Sequence, residues 1–230
     1  MNLSAVTIIE TNQLTKKYGN EIALDGVSLN IEVGTTWGLI GPNGSGKTTF
    51  LSILAGLITP THGSFVLGGS QKLGAIIESP CFYGHLNCED NLRVVAQIRG
   101  IDENTISQVL KVVKLEDQRQ KQYSACSLGM KQRLGIAAAL LGTPQILLLD
   151  EPTNGLDPVG IREMREIITD LRNAGQTLII ASHLLNEIDL VCTHIALLKA
   201  GKLIFKGSIS SFIGENTLED AFLNTIRSKS

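Results

Sequence analysis

The stretch Gly41-Pro42-Asn43-Gly44-Ser45-Gly46-Lys47-Thr48 constrains this chain more than any other. It fits the pattern GxxxxGK[ST], and its surroundings fit as well. Thr36-Trp37-Gly38-Leu39-Ile40 reads as a short buried strand. Phe50, Ile53, Leu54 and Leu57 then recur at helical spacing, with Pro60 just past the end. A strand, a glycine-rich turn and a helix in that order make an anion cradle. The glycines let the backbone curl without Cβ clashes, and successive N–H groups and the positive helix end face inward. Lys47 is expected to reach the β- and γ-phosphates of ATP and the Thr48 hydroxyl to ligate Mg²⁺. Gly41, Pro42, Asn43, Gly44, Ser45, Gly46, Lys47, Thr48 and Thr49 are the expected phosphate-binding residues.

A second signal lies far downstream. Ile146-Leu147-Leu148-Leu149 reads as another buried strand and runs into Asp150-Glu151-Pro152. Acids at the end of a buried strand are costly unless they have partners or work. In the crevice at the carboxyl ends of parallel strands, Asp150 is expected to hold the Mg²⁺ shell. Glu151 is expected to orient and deprotonate an attacking water. Two adjacent carboxylates also suggest glycoside hydrolysis. Neighbours on a strand point to opposite faces, however, and do not give the facing pair which that chemistry needs.

The rest of the pattern predicts an α/β fold. Residues 6 to 36 read as short strands with turns, and 23 to 31 alternate as one half-exposed strand. Leu92, Val95 and Ala96, then Ile106, Val109, Leu110 and Val113, mark two amphipathic helices in an inserted helical subdomain at about 85–122. A helix from Ser127 carries Met130, Leu134, Ala137, Ala138 and Leu141 on one face, and Gly142 and Pro144 stop it. Pro158 starts another, with Ile161, Met164, Ile168 and Leu171 inward and Gly175 at its end. Thr177 to Ala181 form a third buried strand, 195–198 and 203–205 a hairpin, and Leu218, Ala221 and Phe222 one face of a terminal helix. Buried strands alternating with helices imply a mostly parallel central sheet covered on both faces, in a single domain over 1–230.

Composition excludes several classes. Hydrophobic residues are 43% and charged residues 18% of the 230, which rules out disorder. Twenty basic against 22 acidic residues, with no long basic run, make nucleic acid an unexpected partner. Cys81, Cys88, Cys126 and Cys192 form no CxxC pair and are expected to be reduced, packed thiols of a cytosolic protein. Met1 to Val6 lack the basic region of a signal peptide, and no apolar run approaches the ~20 residues of a membrane span. A role at a membrane would therefore require a separate membrane partner.

These residues, in this order, resemble the ATP-binding subunits of ABC transporters. Cys126-Ser127-Leu128-Gly129-Met130-Lys131-Gln132-Arg133 is similar to the family's signature motif in a divergent form. Asn154-Gly155-Leu156-Asp157-Pro158 resembles its D-loop, Ser182-His183 its switch histidine, and Tyr18 the aromatic residue that stacks on adenine. The likeness covers essentially the whole chain. It implies a P-loop NTPase fold with an N-terminal antiparallel β subdomain, working from the cytoplasmic face of the membrane on an integral membrane transporter subunit. It also implies a head-to-tail homodimer closed by ATP. Ser127, Gly129, Met130 and Asp157 would serve the opposite subunit's nucleotide, and His183 would contact the γ-phosphate and help hold the water and Glu151.

One departure stands out. The family's usual glutamine in the loop leading to the helical subdomain is replaced by Glu78, within Ile77-Glu78-Ser79-Pro80-Cys81-Phe82-Tyr83. A charged oxygen tightens a metal but repels the γ-phosphate at close range. Glutamate here resembles the bacitracin and lantibiotic self-immunity exporters, which implies export of a peptide antibiotic or related drug. The loop after Glu78 would face the membrane partner, with Phe82 and Tyr83 either contacting it or packing the subdomain. An importer motor is the alternative on the same fold. A soluble relative acting on ribosomes or DNA fits less well, because such proteins carry two such domains or a long coiled coil. A P-loop kinase leaves the signature and His183 unexplained.

Overall fold

The computed structural model describes residues 6–68 and 72–228. The first strand, β1 (Thr7–Tyr18), is followed by β2 (Glu21–Val27), β3 (Asn30–Glu32), β4 (Thr36–Ile40), α1 (Lys47–Leu54), β5 (His62–Leu67) and β6 (Leu73–Ile76). Helices α2 (Cys88–Arg99), α3 (Thr105–Val112) and α4 (Leu128–Leu140) come next. The chain then runs through β7 (Ile146–Asp150), α5 (Pro158–Asn173), β8 (Thr177–Ala181), α6 (Leu185–Val191), β9 (His194–Lys199), β10 (Lys202–Ser208), α7 (Ile209–Ile213) and α8 (Leu218–Ser228).

β1 bends at Gln13, whose φ is +49°, and its halves take different partners. Thr7 to Glu10 pair antiparallel with β3, Leu14 to Tyr18 with β2, and β5 also runs antiparallel along β1. This bend explains why residues 23–31 are not the single alternating strand expected. The ladder breaks at Ser28 and Leu29, between β2 and β3. Thr11, buried at the bend, repairs the gap. Its N–H donates to Leu29 O at 2.9 Å, and its hydroxyl accepts from Leu29 N at 2.8 Å.

The central sheet has the order β10-β9-β4-β8-β7-β6, parallel except for β10 at one edge. Every residue of β4, β7 and β8 is buried, as the apolar runs predict for strands covered on both faces. One face packs with α1 and the antiparallel sheet through Phe50, Leu51, Ile53 and Leu54. The other packs with α4, α5 and α6 through Leu134, Met164 and Ile188. β6 is a strand that the apolar pattern of the sequence does not mark. It is short and half-buried, and only its parallel register with β7 holds it in the sheet. Leu57 is not on the inward face of the first helix, which ends at Leu54; the chain turns at Gly56 (φ +72°) and leaves Leu57 65% exposed.

The expected helical insertion is present as α2 and α3, with Leu92, Ala96, Ile106, Val109 and Leu110 buried. α4 packs into it too, which is why α4 is buried nearly all round beyond its first turn. The junction is held by Asn91, 1% exposed, which accepts from Tyr83 N–H and donates to the carbonyls of Tyr83, Leu86 and Asn87. Arg119 adds a forked pair to Glu89 at 2.8 and 2.9 Å, holding that carboxyl below its ordinary range. Of the cysteines, Cys81 is exposed and the other three are buried, with Cys88 and Cys126 in contact at 3.7 Å. The predicted C-terminal hairpin is β9–β10, and Leu218 and Ala221 of α8 face inward.

Candidate active site

The loop between β4 and α1 floors a cleft of about 570 Å³ at the carboxyl ends of the parallel strands. Asn43 to Thr49 line its base, Glu151 and His183 one wall, and Tyr18 the mouth. The fold thus gathers residues the sequence places far apart. Three positions in the loop need glycine, among them Gly46 (φ +104°), where a Cβ would lie 2.5 Å from Ala23 O. At Gly41 (φ +153°) a Cβ would lie 2.2 Å from Leu198 O. At Gly44 (φ +76°) a Cβ would point into open space, in the cleft itself.

Lys47, 7% exposed, ends the loop and donates back to Gly41 O at 2.8 Å and Pro42 O at 3.2 Å. Its ammonium is therefore held against the loop that precedes it. Burial lowers its pKa, while Glu151 and Asp150 pull the other way.

Asp150 ends β7 and is 6% exposed. Burial raises its pKa, the Thr48 hydroxyl hydrogen-bonded to it opposes the rise, and Glu151, Lys47 and Glu78 are close enough to be felt. Its Oδ1 is buried without a hydrogen-bond partner among the described residues, as is Ser45 Oγ. Buried oxygens left unpaired are expensive. A hard cation suits Asp150 Oδ1, since it takes carboxylate oxygens. Glu78 is exposed with φ +63°, at the turn leaving β6.

Glu151 departs from the strand geometry assumed for it. Its φ is +48°, so the chain turns away just after β7, and its N–H donates to Ala181 O at 2.8 Å. Left-handed backbone at a non-glycine residue is held only by a surrounding that over-determines it. The turn brings Glu151 Oε2 to 2.8 Å from His183 Nδ1, with His183 N at 3.4 Å. Parallel register makes this possible, since Asp150 lies opposite Ala181 and each partner is one or two residues beyond.

Tyr18 is half-exposed at the end of β1, and the Lys16 ammonium lies 5.1 Å from its ring centroid. Glu21, Ala23 and Asn154 also line the cleft and were missed. Glu21 faces Tyr18 across the Gly19-Asn20 turn, and Asn154 lies three residues past Glu151.

Ser127, Gly129 and Asp157 lie elsewhere, in a separate cleft of about 330 Å³. Both oxygen-bearing side chains cap helices there: Ser127 Oγ accepts from Met130 N at 3.3 Å, and Asp157 Oδ1 from Gly160 N at 2.7 Å. The Met130 side chain is buried, with its sulfur 3.8 Å from Lys121 Nζ. The two clefts meet along one turn, with Asn154 lining the first and Gly155 the second. Phe82 packs edge-on against Tyr123 at 5.3 Å, whereas Tyr83 is 55% exposed.

The family profile described as ABC transporter matches residues 24–154. The lantibiotic transport ATP-binding protein SrtF of Streptococcus pyogenes is 41% identical over 226 residues, spanning 95% of this chain and 97% of its own length. The bacitracin transport ATP-binding protein BcrA of Bacillus licheniformis is 44% identical over 210 residues, or 86% of this chain and 69% of its own. Among solved structures, an ATP-binding subunit of an ABC transporter superposes with a TM-score of 0.84 at 26% identity, covering 96% of this chain and all (100%) of that one. MJ1267, an ATP-binding cassette in its ADP conformation, superposes at 0.82 with 21% identity over 96% and 98% of the two chains, a likeness of fold.

Proposed function

This chain belongs to the ABC transporter family as an ATP-binding, ATP-hydrolysing motor subunit that acts with membrane subunits, and we propose that it drives export of a peptide antibiotic from the inner face of the cell membrane. The cargo reading is supported by relatives named for lantibiotic and bacitracin transport, and by Glu78 in place of glutamine.

The observation that carries the hydrolytic reading is the 2.8 Å contact between Glu151 and His183 at the wall of the phosphate cleft. Glu151 takes a proton from the attacking water. His183 holds the carboxylate in place from one side, leaving its other oxygen for the water. Lys47 and the N–H groups of Gly44 to Thr49 place positive charge around the β- and γ-phosphates. Thr48, Asp150 and Glu78 would hold Mg²⁺, which when bound neutralises charge on the phosphate oxygens. Tyr18 stacks on adenine.

The second cleft suits the γ-phosphate side of a partner copy. Ser127 stands exposed and Gly129 half-buried at the N-terminus of α4, and Asp157 stands exposed at that of α5. Two copies arranged head to tail would clamp each nucleotide between Lys47 of one and Ser127 of the other, with Gly129, Met130 and Asp157 supporting. ATP then closes the dimer and hydrolysis opens it.

The test uses tagged Glu151→Gln protein. Hydrolysis should slow by ~10²–10⁴-fold while ATP still binds. With Mg-ATP, a pull-down from detergent-solubilised membranes should retain a multi-span membrane protein in stoichiometric amount. Hydrolysis at the parental rate removes Glu151 from the mechanism. Recovery of only ribosomal or soluble partners removes the transport role.

A further inference from the structure

A cation beside Tyr18, which lines the cleft, has no part in the chemistry above. Lys16 and Tyr18 lie two residues apart near the end of β1, with a break in the β1–β2 register between Lys16 and Lys17. The Lys16 ammonium lies over the Tyr18 ring, 5.1 Å from its centroid. It is not a free surface charge: the same Nζ donates to Thr59 O at 2.8 Å. Thr59 lies on the return from α1, and that return is stitched to β1 by Thr61. Thr61 N donates to Thr15 O at 2.7 Å, and its hydroxyl accepts from Lys17 N at 3.0 Å. Lys16 is thus pinned at both ends, to the connection leaving the phosphate-binding helix and to the aromatic ring.

We infer that Lys16 is a positioning residue for the nucleotide base, fixing Tyr18 as a one-faced stacking platform. This rests on the reading that Tyr18 stacks on adenine. A tyrosine half-exposed at a strand end has free rotation to lose on binding a base. The ammonium covers one face of the ring and leaves the other to the base. It also draws electron density from the ring by cation–π attraction, which favours stacking of an electron-rich purine on the opposite face. Because Thr59 holds the ammonium, the platform keeps a set position relative to α1 and so relative to the phosphate cradle. Lys16 itself touches neither base nor phosphate.

The experiment compares the parent with Lys16→Met, Lys16→Arg and Tyr18→Ala, measuring equilibrium binding of ATP and of inorganic tripolyphosphate, which has no base. Lys16→Met retains the aliphatic stem and should weaken ATP about two- to five-fold, with tripolyphosphate unchanged. The loss should appear in KM rather than kcat. Lys16→Arg should recover most of the affinity, and Lys16→Met should have no further effect in the Tyr18→Ala background. Equal weakening of ATP and tripolyphosphate would place Lys16 on the phosphates and overturn the inference. So would parental ATP affinity in Lys16→Met while Tyr18→Ala is weakened. If Tyr18→Ala itself binds ATP like the parent, adenine stacking falls, and this inference falls with it.

Discussion

Two glycines of the phosphate loop separate what the fold needs from what the ligand needs. Gly41 has φ +153°, and an added Cβ would meet Leu198 O at 2.2 Å and Ser45 Oγ at 2.6 Å. The first of these is backbone of β9 and cannot swing aside. Gly41→Ala therefore combines unfavourable backbone geometry, about 1–3 kcal/mol, with overpacking of a further about 1–3 kcal/mol. At about 2–4 °C per kcal/mol for a chain of this size, the nucleotide-free variant should melt about 4–24 °C below the parent. Gly44 has φ +76° with nothing within 4 Å of the added Cβ. Gly44→Ala has only the left-handed penalty of about 1–2 kcal/mol and should melt about 2–8 °C lower. The methyl group would occupy the cleft that Gly44 lines, however. ATP affinity should fall about 10- to 100-fold from displacement of the phosphates. Thermal melts without nucleotide and calorimetric ATP titrations read the two quantities independently. If Gly41→Ala melts no lower than Gly44→Ala, or Gly44→Ala binds ATP like the parent, the assignment of the two glycines is wrong.

Burial holds Asp150 protonated to higher pH in the folded chain than in the unfolded one. Its stabilising contribution is therefore complete below the unfolded pKa and is lost as pH rises through the folded one. Asp150→Asn, always neutral, should melt above the parent at pH 7 in the absence of metal and nucleotide. The gap should close as the buffer is taken into the acid range, while Mg-dependent hydrolysis falls about 10–100-fold. A melting point at or below the parent's at pH 7 contradicts this. Glu78→Gln should retain ATP binding and shift the Mg²⁺ concentration needed for half-maximal turnover; superimposable Mg²⁺ titrations would remove Glu78 from the metal site. Arg165 grips Glu187 at 2.8 and 3.0 Å, tying α5 to α6 just after His183. Arg165→Met should lose about 1 kcal/mol and melt about 2–4 °C lower, read by calorimetry.

Much of the site was legible because it is local. Glycine spacing before Lys47 and Thr48, and an apolar run ending in Asp150, each carry their chemistry within a few consecutive residues. The helical insertion and the C-terminal hairpin were readable for the same reason, from periodicity and turn residues. The failures came where a local turn or a long-range pairing overrode the apolar pattern. Leu57 kept the helical spacing, but Gly56 turns the chain before it. Residues 23–31 read as one half-exposed strand, yet the bend at Gln13 divides them between two ladders. β6 gives almost no local signal and exists through its register with β7.

The sequence by itself determined the glycine-rich loop, the acidic strand end and the α/β class, because backbone conformation and apolar period depend on near neighbours. Tertiary structure alone decided which distant residues meet. His183 reaches Glu151 because β8 lies beside β7 with Ala181 opposite Asp150, and because Glu151 adopts φ +48°. Tyr18 and Glu21 line the cleft because β1 and β2 pair at that end of the fold, with Tyr18 opposite Glu21. Ser127 and Asp157 share a second cleft because the first turns of α4 and α5 lie side by side. Each of these depends on lateral register and layer packing, which a linear pattern of polarity does not encode.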